Sequence, residues 1–152
     1  MIDTAKPIDA EVKTRLSTAL KSFFQEERKL LESDVREDGL SHRLAVHIGR
    51  QFKGWDVDAE YDKMHIDGVP SEKKYIGTDG KEHHAIPDII VHRRQTMENF
   101  VAIEIKKLGR NRGRERDFVK LTAYKGQLHY QFAAFVEIGL KDGAPAFDVR
   151  FV

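Results

Sequence analysis

Apolar residues recur at three- and four-residue spacing through Ile8, Val12, Leu16, Leu20, Phe23, Phe24, Leu30 and Leu31. That period predicts an amphipathic helix or helix pair with Lys, Arg and Glu on its outer face. Pro7 suits the first turn. Ser33-Asp34 and Gly39 interrupt the pattern, and a second helix is predicted to start between them. Its stripe is Leu40, Leu44, Ile48 and Phe52, running to about Arg50 or Gln51. Glu37 falls in the same stripe. An acid there is either a solvated first-turn residue favoured by the helix dipole, which is the commoner case, or a buried carboxylate that needs a partner.

The period then drops to two. Residues 54–61 alternate as a half-exposed strand, with Asp56, Asp58 and Glu60 on one face and Val57, Ala59 and Tyr61 on the other. The acidic row reads best as solvated or paired across strands. Residues 62–85 are polar and punctuated by glycine and proline, and we read them as a loop or flap. Within it, Asp79-Gly80 is placed to close a small hairpin with Lys73–Ile76 as one arm. His83 and His84 diverge on an extended chain and read as surface residues.

Two apolar, β-branched runs follow, 86–92 and 99–107, joined by a polar connection short enough for a hairpin. Next come a helix from Asp117 to about Gly126, a nearly all-apolar strand over 130–138, a turn at Asp142-Gly143, and a closing edge strand over 146–152. The order predicts an α/β sandwich around a mixed central sheet flanked by helices, with one helix crossing over between parallel strands. The chain reads as one domain, 1–152: an N-terminal helical segment over 1–32, a core over about 34–140, and the flap at 62–85.

Composition narrows the class without naming a partner. The 152 residues carry 26 basic and 25 acidic side chains, so bulk charge favours neither nucleic acid nor membrane. There is no cysteine, which excludes disulfides and thiolate zinc sites. No apolar run approaches membrane-spanning length and the first residues form no signal-type apolar region, so a cytoplasmic protein is expected. Charge is nonetheless uneven. Between Glu104 and Lys125, Lys106, Lys107, Arg110, Arg112, Arg114, Arg116, Lys120 and Lys125 face only Glu104, Glu115 and Asp117. The glycine-punctuated arginine run at 108–116 is suited to gripping phosphates, or is an ordinary solvated loop.

The two organising strands carry charge where purely structural strands would not. Glu104 and Lys106 are two apart and must project together, and the hairpin brings Asp88 beside Glu104. Two carboxylates in an apolar sheet repel unless one keeps its proton or a cation lies between them. Hard oxygen donors from Asp88, Glu104 and the Ile105 carbonyl suit Mg²⁺ better than Zn²⁺. Such an ion polarises a phosphoryl oxygen and acidifies bound water, with Lys106 beside it. The bland alternative is a cross-strand ion-pair ladder.

Pro87-Asp88 followed by Glu104-Ile105-Lys106 resembles the signature of the PD-(D/E)XK, or restriction-endonuclease-like, nuclease superfamily. The element order is similar to that family's αβββαβ core. The runs Glu37–Ala45 and Val57–Tyr61, with Asp117, Lys120, Leu121 and Tyr130, look like its small stand-alone bacterial or phage members. The resemblance spans roughly 30–140. It implies Asp88 and Glu104 as Mg²⁺ ligands, with Mn²⁺ able to substitute, and Lys106 serving the attacking water. It also moves Glu37 from the dipole reading to the metal shell. The expectation is a Mg²⁺-dependent nuclease acting on DNA, with Lys107, Arg110, Arg112, Arg114, Arg116 and Lys120 holding the polyanion, alone, as a homodimer or beside a partner subunit. The alternatives are an inactive nuclease-like module that binds nucleic acid or protein, and a subunit of a larger defence, restriction or repair assembly.

Overall fold

The computed structural model describes residues 5–152, with side chains from Asp9 onward. Three helices come first: α1 (Ala5–Glu26), α2 (Arg28–Glu32) and α3 (Glu37–Gln51). Then come β1 (Asp56–Ala59), β2 (Lys63–Ile66), β3 (Val69–Glu72), β4 (Lys74–Ile76), β5 (Glu82–His84), β6 (Ile89–His92) and β7 (Asn99–Lys107). Helix α4 (Arg114–Gln127), β8 (Phe132–Lys141) and β9 (Ala144–Phe151) complete the chain. The central sheet has the order β1-β6-β7-β8-β9, parallel only between β7 and β8, which α4 connects. The protein is thus mixed α/β with a mixed central sheet between helices.

Alternation along β7 decides what packs where. Val101, Ile103 and Ile105 point to one face, where they join Ile89 and Val91 of β6, Ala134, Val136 and Ile138 of β8, and the apolar stripes of α1 and α3. Ala102 points to the other face, under Leu121 and Tyr124 of α4 and beside Ile90 and Phe135. Both faces are covered, so β6, β7 and β8 read as apolar runs rather than alternating ones. The exceptions on the α4 face, Glu104, Lys106 and Glu137, are all buried. Among the described residues no helix is long and apolar enough to cross a membrane.

Residues 62–85 are more ordered than the sequence suggests. They form two separate two-stranded hairpins, β2–β3 and β4–β5. In the first, only Met64 and His65 are half-buried and every other strand position is exposed, so no sustained apolar alternation marks it in the sequence. Its turn is Asp67-Gly68 with both residues at positive φ (50° and 77°), the geometry of a two-residue primed turn. The expected Asp79-Gly80 hairpin is present, and its arm β4 is capped along the edge by a side chain. The Ile76 N–H donates to Gln127 Oε1 at 2.7 Å, and Gln127 Nε2 donates back to the Ile76 carbonyl at 2.9 Å.

The hairpins are pinned to the sheet by Lys73, which is 2% exposed. Its Nζ donates to the Tyr130 hydroxyl at 2.6 Å and lies 5.3 and 5.5 Å from the Tyr130 and Tyr61 ring centres. Asp58, from the acidic row of β1, is paired across strands as expected. It bonds His92 Nε2 at 2.7 Å and the Arg94 guanidinium at 2.6 and 2.9 Å. Of the two flap histidines, His84 is exposed, while His83 is half-buried, stacked on Tyr75 and bonded to Asp79.

Candidate active site

Strand β7 outruns its neighbour. The β6–β7 register pairs Ile89 with Ile103, and β6 begins there. Asp88 therefore lies just before the strand rather than inside it. One step further in the same register, Asp88 faces Glu104, and a second step puts Pro87 across from Ile105. Proline has no N–H, so it cannot extend the ladder or donate to the Ile105 carbonyl. The Ile105 N–H, which points to the same edge, is taken by a side chain instead: it donates to Asp88 Oδ2 at 2.7 Å. The next amide on that edge, Lys107 N–H, points at Glu37 Oε1 at a long 3.5 Å. The Pro-Asp pair thus keeps β6 from starting before Ile89 and leaves an open stretch of β7 edge bordered by Asp88 and Glu37.

Glu104 projects to the α4 face and is 4% exposed. Tyr124 of α4 donates its hydroxyl to Glu104 Oε1 at 3.0 Å, and the Asp88 carboxyl is the acidic neighbour of Glu104 across the strands. Burial, then the facing Asp88 carboxylate, hold the Glu104 carboxyl well above the ordinary range. Burial also raises Asp88, against the hydrogen bond it accepts from the Ile105 N–H. The same interactions hold the Tyr124 phenol protonated: burial first, then the Glu104 charge.

Glu37 opens α3 and is three-quarters buried at its side chain. It is not a solvated cap. Its Oε1 accepts from Arg110 at 3.1 Å, and its charge is one of those raising Asp88. With Arg36, Glu60, Lys107 and Arg110, the two acids line a polar cavity of about 370 Å³. A larger hollow of about 620 Å³ between β4–β5 and α4 is lined by residues such as Ile76, Phe118 and Val119 and holds no titratable group. Of the two, only the smaller is lined by titratable groups.

Lys106 is buried on the Glu104 face and is already engaged. Its Nζ lies 2.8 Å from Asp117 Oδ2, an ion contact off the angle of a hydrogen bond, and donates to the Arg112 carbonyl at 3.3 Å. The basic run is only partly a loop: Arg114 and Arg116 belong to α4. Two of its arginines have acid partners, Arg110 with Glu37 and Arg114 with Glu137. Lys107 pairs with Asp34 at 2.9 Å. Arg112 and Arg116 are exposed and carry no ion pair among the described residues, and Lys120 lies close enough to Glu104 to lower its pKa.

Among the described residues, no three His, Asp or Glu side chains stand ready together as a metal cage. The donor chemistry nevertheless fits a hard divalent ion. Two facing carboxyls, one of them raised by burial and then by its neighbour, lie beside a carbonyl that its neighbouring strand cannot serve. Glu60, Asp117 and Tyr124 were not assigned to the site from sequence. Asp117 and Tyr124 fall on the apolar stripe of α4 and read there as core, although an acid on that stripe was a usable signal. Glu60 reaches the cavity through a left-handed backbone (φ 54°), which no spacing reveals. Comparison with family models, with curated proteins and with solved structures gives no match to this chain.

Proposed function

We propose that the chain is a divalent-metal-dependent nuclease with a restriction-endonuclease-like αβββαβ core, hydrolysing phosphodiester bonds in DNA. The observation that carries this reading is the open β7 edge, where Pro87 leaves the Ile105 carbonyl free between the buried Asp88–Glu104 pair and Glu37. Asp88, Glu104 and the Ile105 carbonyl would hold Mg²⁺ or Mn²⁺, with Glu37 ordering the shell from α3. The bound ion supplies Lewis acidity toward a phosphoryl oxygen and a more acidic water. Loading would require Glu104 to give up its proton, and the cation's charge would offset both the burial cost and the Asp88 repulsion that hold the carboxyl neutral. Lys106 places positive charge on the same face, for the attacking water or the charge developing at phosphorus. Exposed Arg112 and Arg116, with Lys120, offer phosphate contacts along one side.

The test is cleavage of single-stranded, duplex and branched DNA, and of RNA, in Mg²⁺ or Mn²⁺ against EDTA. Asp88→Ala and Lys106→Ala are each expected to lower the rate by at least about 100-fold, the scale of losing one electrostatic contributor. Cleavage that persists in both variants would overturn the proposal. A second reading, a non-catalytic nucleic-acid-binding module, is favoured by the engagement of Lys106 with Asp117. It predicts no divalent-ion uptake by calorimetry and DNA binding that is salt-dependent but metal-independent.

A further inference from the structure

Lys106 has two buried acids within reach of its position, and the protein gives it only one. The parallel β7–β8 register places Lys106 directly beside Glu137 on the α4 face, and Glu137 is 6% exposed. A lysine ammonium beside an unpaired buried carboxylate would bond to it. Arg114 prevents this. Its guanidinium grips Glu137 through both nitrogens, at 2.6 and 2.8 Å, while lying over the Phe135 ring at 5.1 Å. This two-pronged grip uses both oxygens of Glu137, which one ammonium could not do. Lys106 is left with Asp117, whose charge is also felt at Asp88 and Glu104.

Arg114 and Asp117 are three apart in the first turn of α4, so they face the sheet together. We infer that this turn positions Lys106: Arg114 sequesters Glu137, and Asp117 holds the freed ammonium on the side of the Asp88–Glu104 pair instead of letting it swing toward β8. Both are positioning residues, and their role rests on the nuclease reading of Lys106. Arg114 is thereby removed from the phosphate-binding set to which its place in the basic run assigned it.

The experiment is a rescue. Arg114→Met keeps the apolar stem over Phe135 but releases Glu137. It is expected to lower kcat about 100-fold with KM near the starting value, the scale of a reactive group displaced by about an ångström. Adding Glu137→Gln removes the competing charge and should restore kcat to within about tenfold. Asp117→Asn should lower kcat without raising KM. Thermal melts identify the folded variants. If Arg114→Met does not fold, the neutral double variant, which buries no lone charge, still decides: folded and active supports the inference, folded and inactive overturns it. A folded single variant that Glu137→Gln fails to rescue also overturns it. A crystal structure of Arg114→Met separates this inference from the nuclease reading. Lys106 bonded to Glu137 supports positioning even if no substrate is ever cleaved, and Lys106 still on Asp117 refutes it.

Discussion

At the scale of single residues, Lys73 shows what burying an unpaired cation does to stability. Lys73 meets no carboxylate within ion-pair distance among the described residues; its Nζ has a tyrosine hydroxyl and two ring faces instead. Burial pulls its pKa from 10.5 down to about 8, against the raising effect of Asp62 and Asp58. The unfolded lysine holds its proton up to pH 10.5 and the folded one only to about 8. Between those values the unfolded state binds more protons, so stability from this group rises with pH. Below pH 8 the full cost, roughly 3 kcal/mol for such a shift, is present. Lys73→Met is expected to stabilise the protein at pH 7 by about 1–3 kcal/mol, less than that cost because the Tyr130 hydroxyl loses its partner. It should also flatten the rise in stability between pH 8 and 10. Denaturant unfolding of both proteins across that range checks the slope. Above pH 10 the trend reverses, because burial keeps the Tyr124 and Tyr130 phenols protonated while unfolded tyrosines ionise.

At the scale of elements, what matters is where strands stop. Strand β6 starts only after Pro87-Asp88 while β7 runs on past that point, and the mismatch creates the open edge. Strand β4 has the opposite need: its edge must be closed, and Gln127 closes it with two hydrogen bonds from the last turn of α4. Gln127→Ala should therefore loosen the β4–β5 hairpin by about 1 kcal/mol, since exposed hydrogen bonds contribute little net stability. Hydrogen exchange at the Ile76 amide should speed up while exchange at Ile103 in the sheet centre stays unchanged. Equal acceleration at both would mean that the hairpin has no independent opening.

At the scale of the whole molecule, the near-balanced charge conceals a division of labour. The basic residues from Lys106 onward split into those paired with acids and those without an ion pair among the described residues. Arg114 and Lys106 are spent on buried acids, and Arg110 and Lys107 on Glu37 and Asp34. Arg112 and Arg116 are exposed and without an ion pair among the described residues, and on the proposed function they meet the DNA. Replacing both with alanine should reduce the dependence of log affinity on log salt by about two units, roughly one per lost phosphate contact. Fluorescence anisotropy with labelled DNA over a salt series reads that slope. An unchanged slope would place the DNA on another face.

The sequence by itself determined the layers of this protein. Apolar period set the long helices and the central strands, and turn chemistry placed Asp79-Gly80 and Asp142-Gly143, because these features act within a few residues of the chain. It also brought Asp88, Glu104 and Lys106 to one end of one hairpin, since side-chain alternation and hairpin register are local. The β2–β3 hairpin left little such trace, because β3 is exposed throughout and in β2 only Met64 packs toward the core. Partner choice was decided only in three dimensions. Whether Lys106 meets Glu137 or Asp117, whether Glu37 reaches the β7 edge, and which arginines are free depend on α3 and α4 packing against opposite faces of the sheet. Those contacts join residues up to 73 positions apart, and no spacing along the chain encodes them.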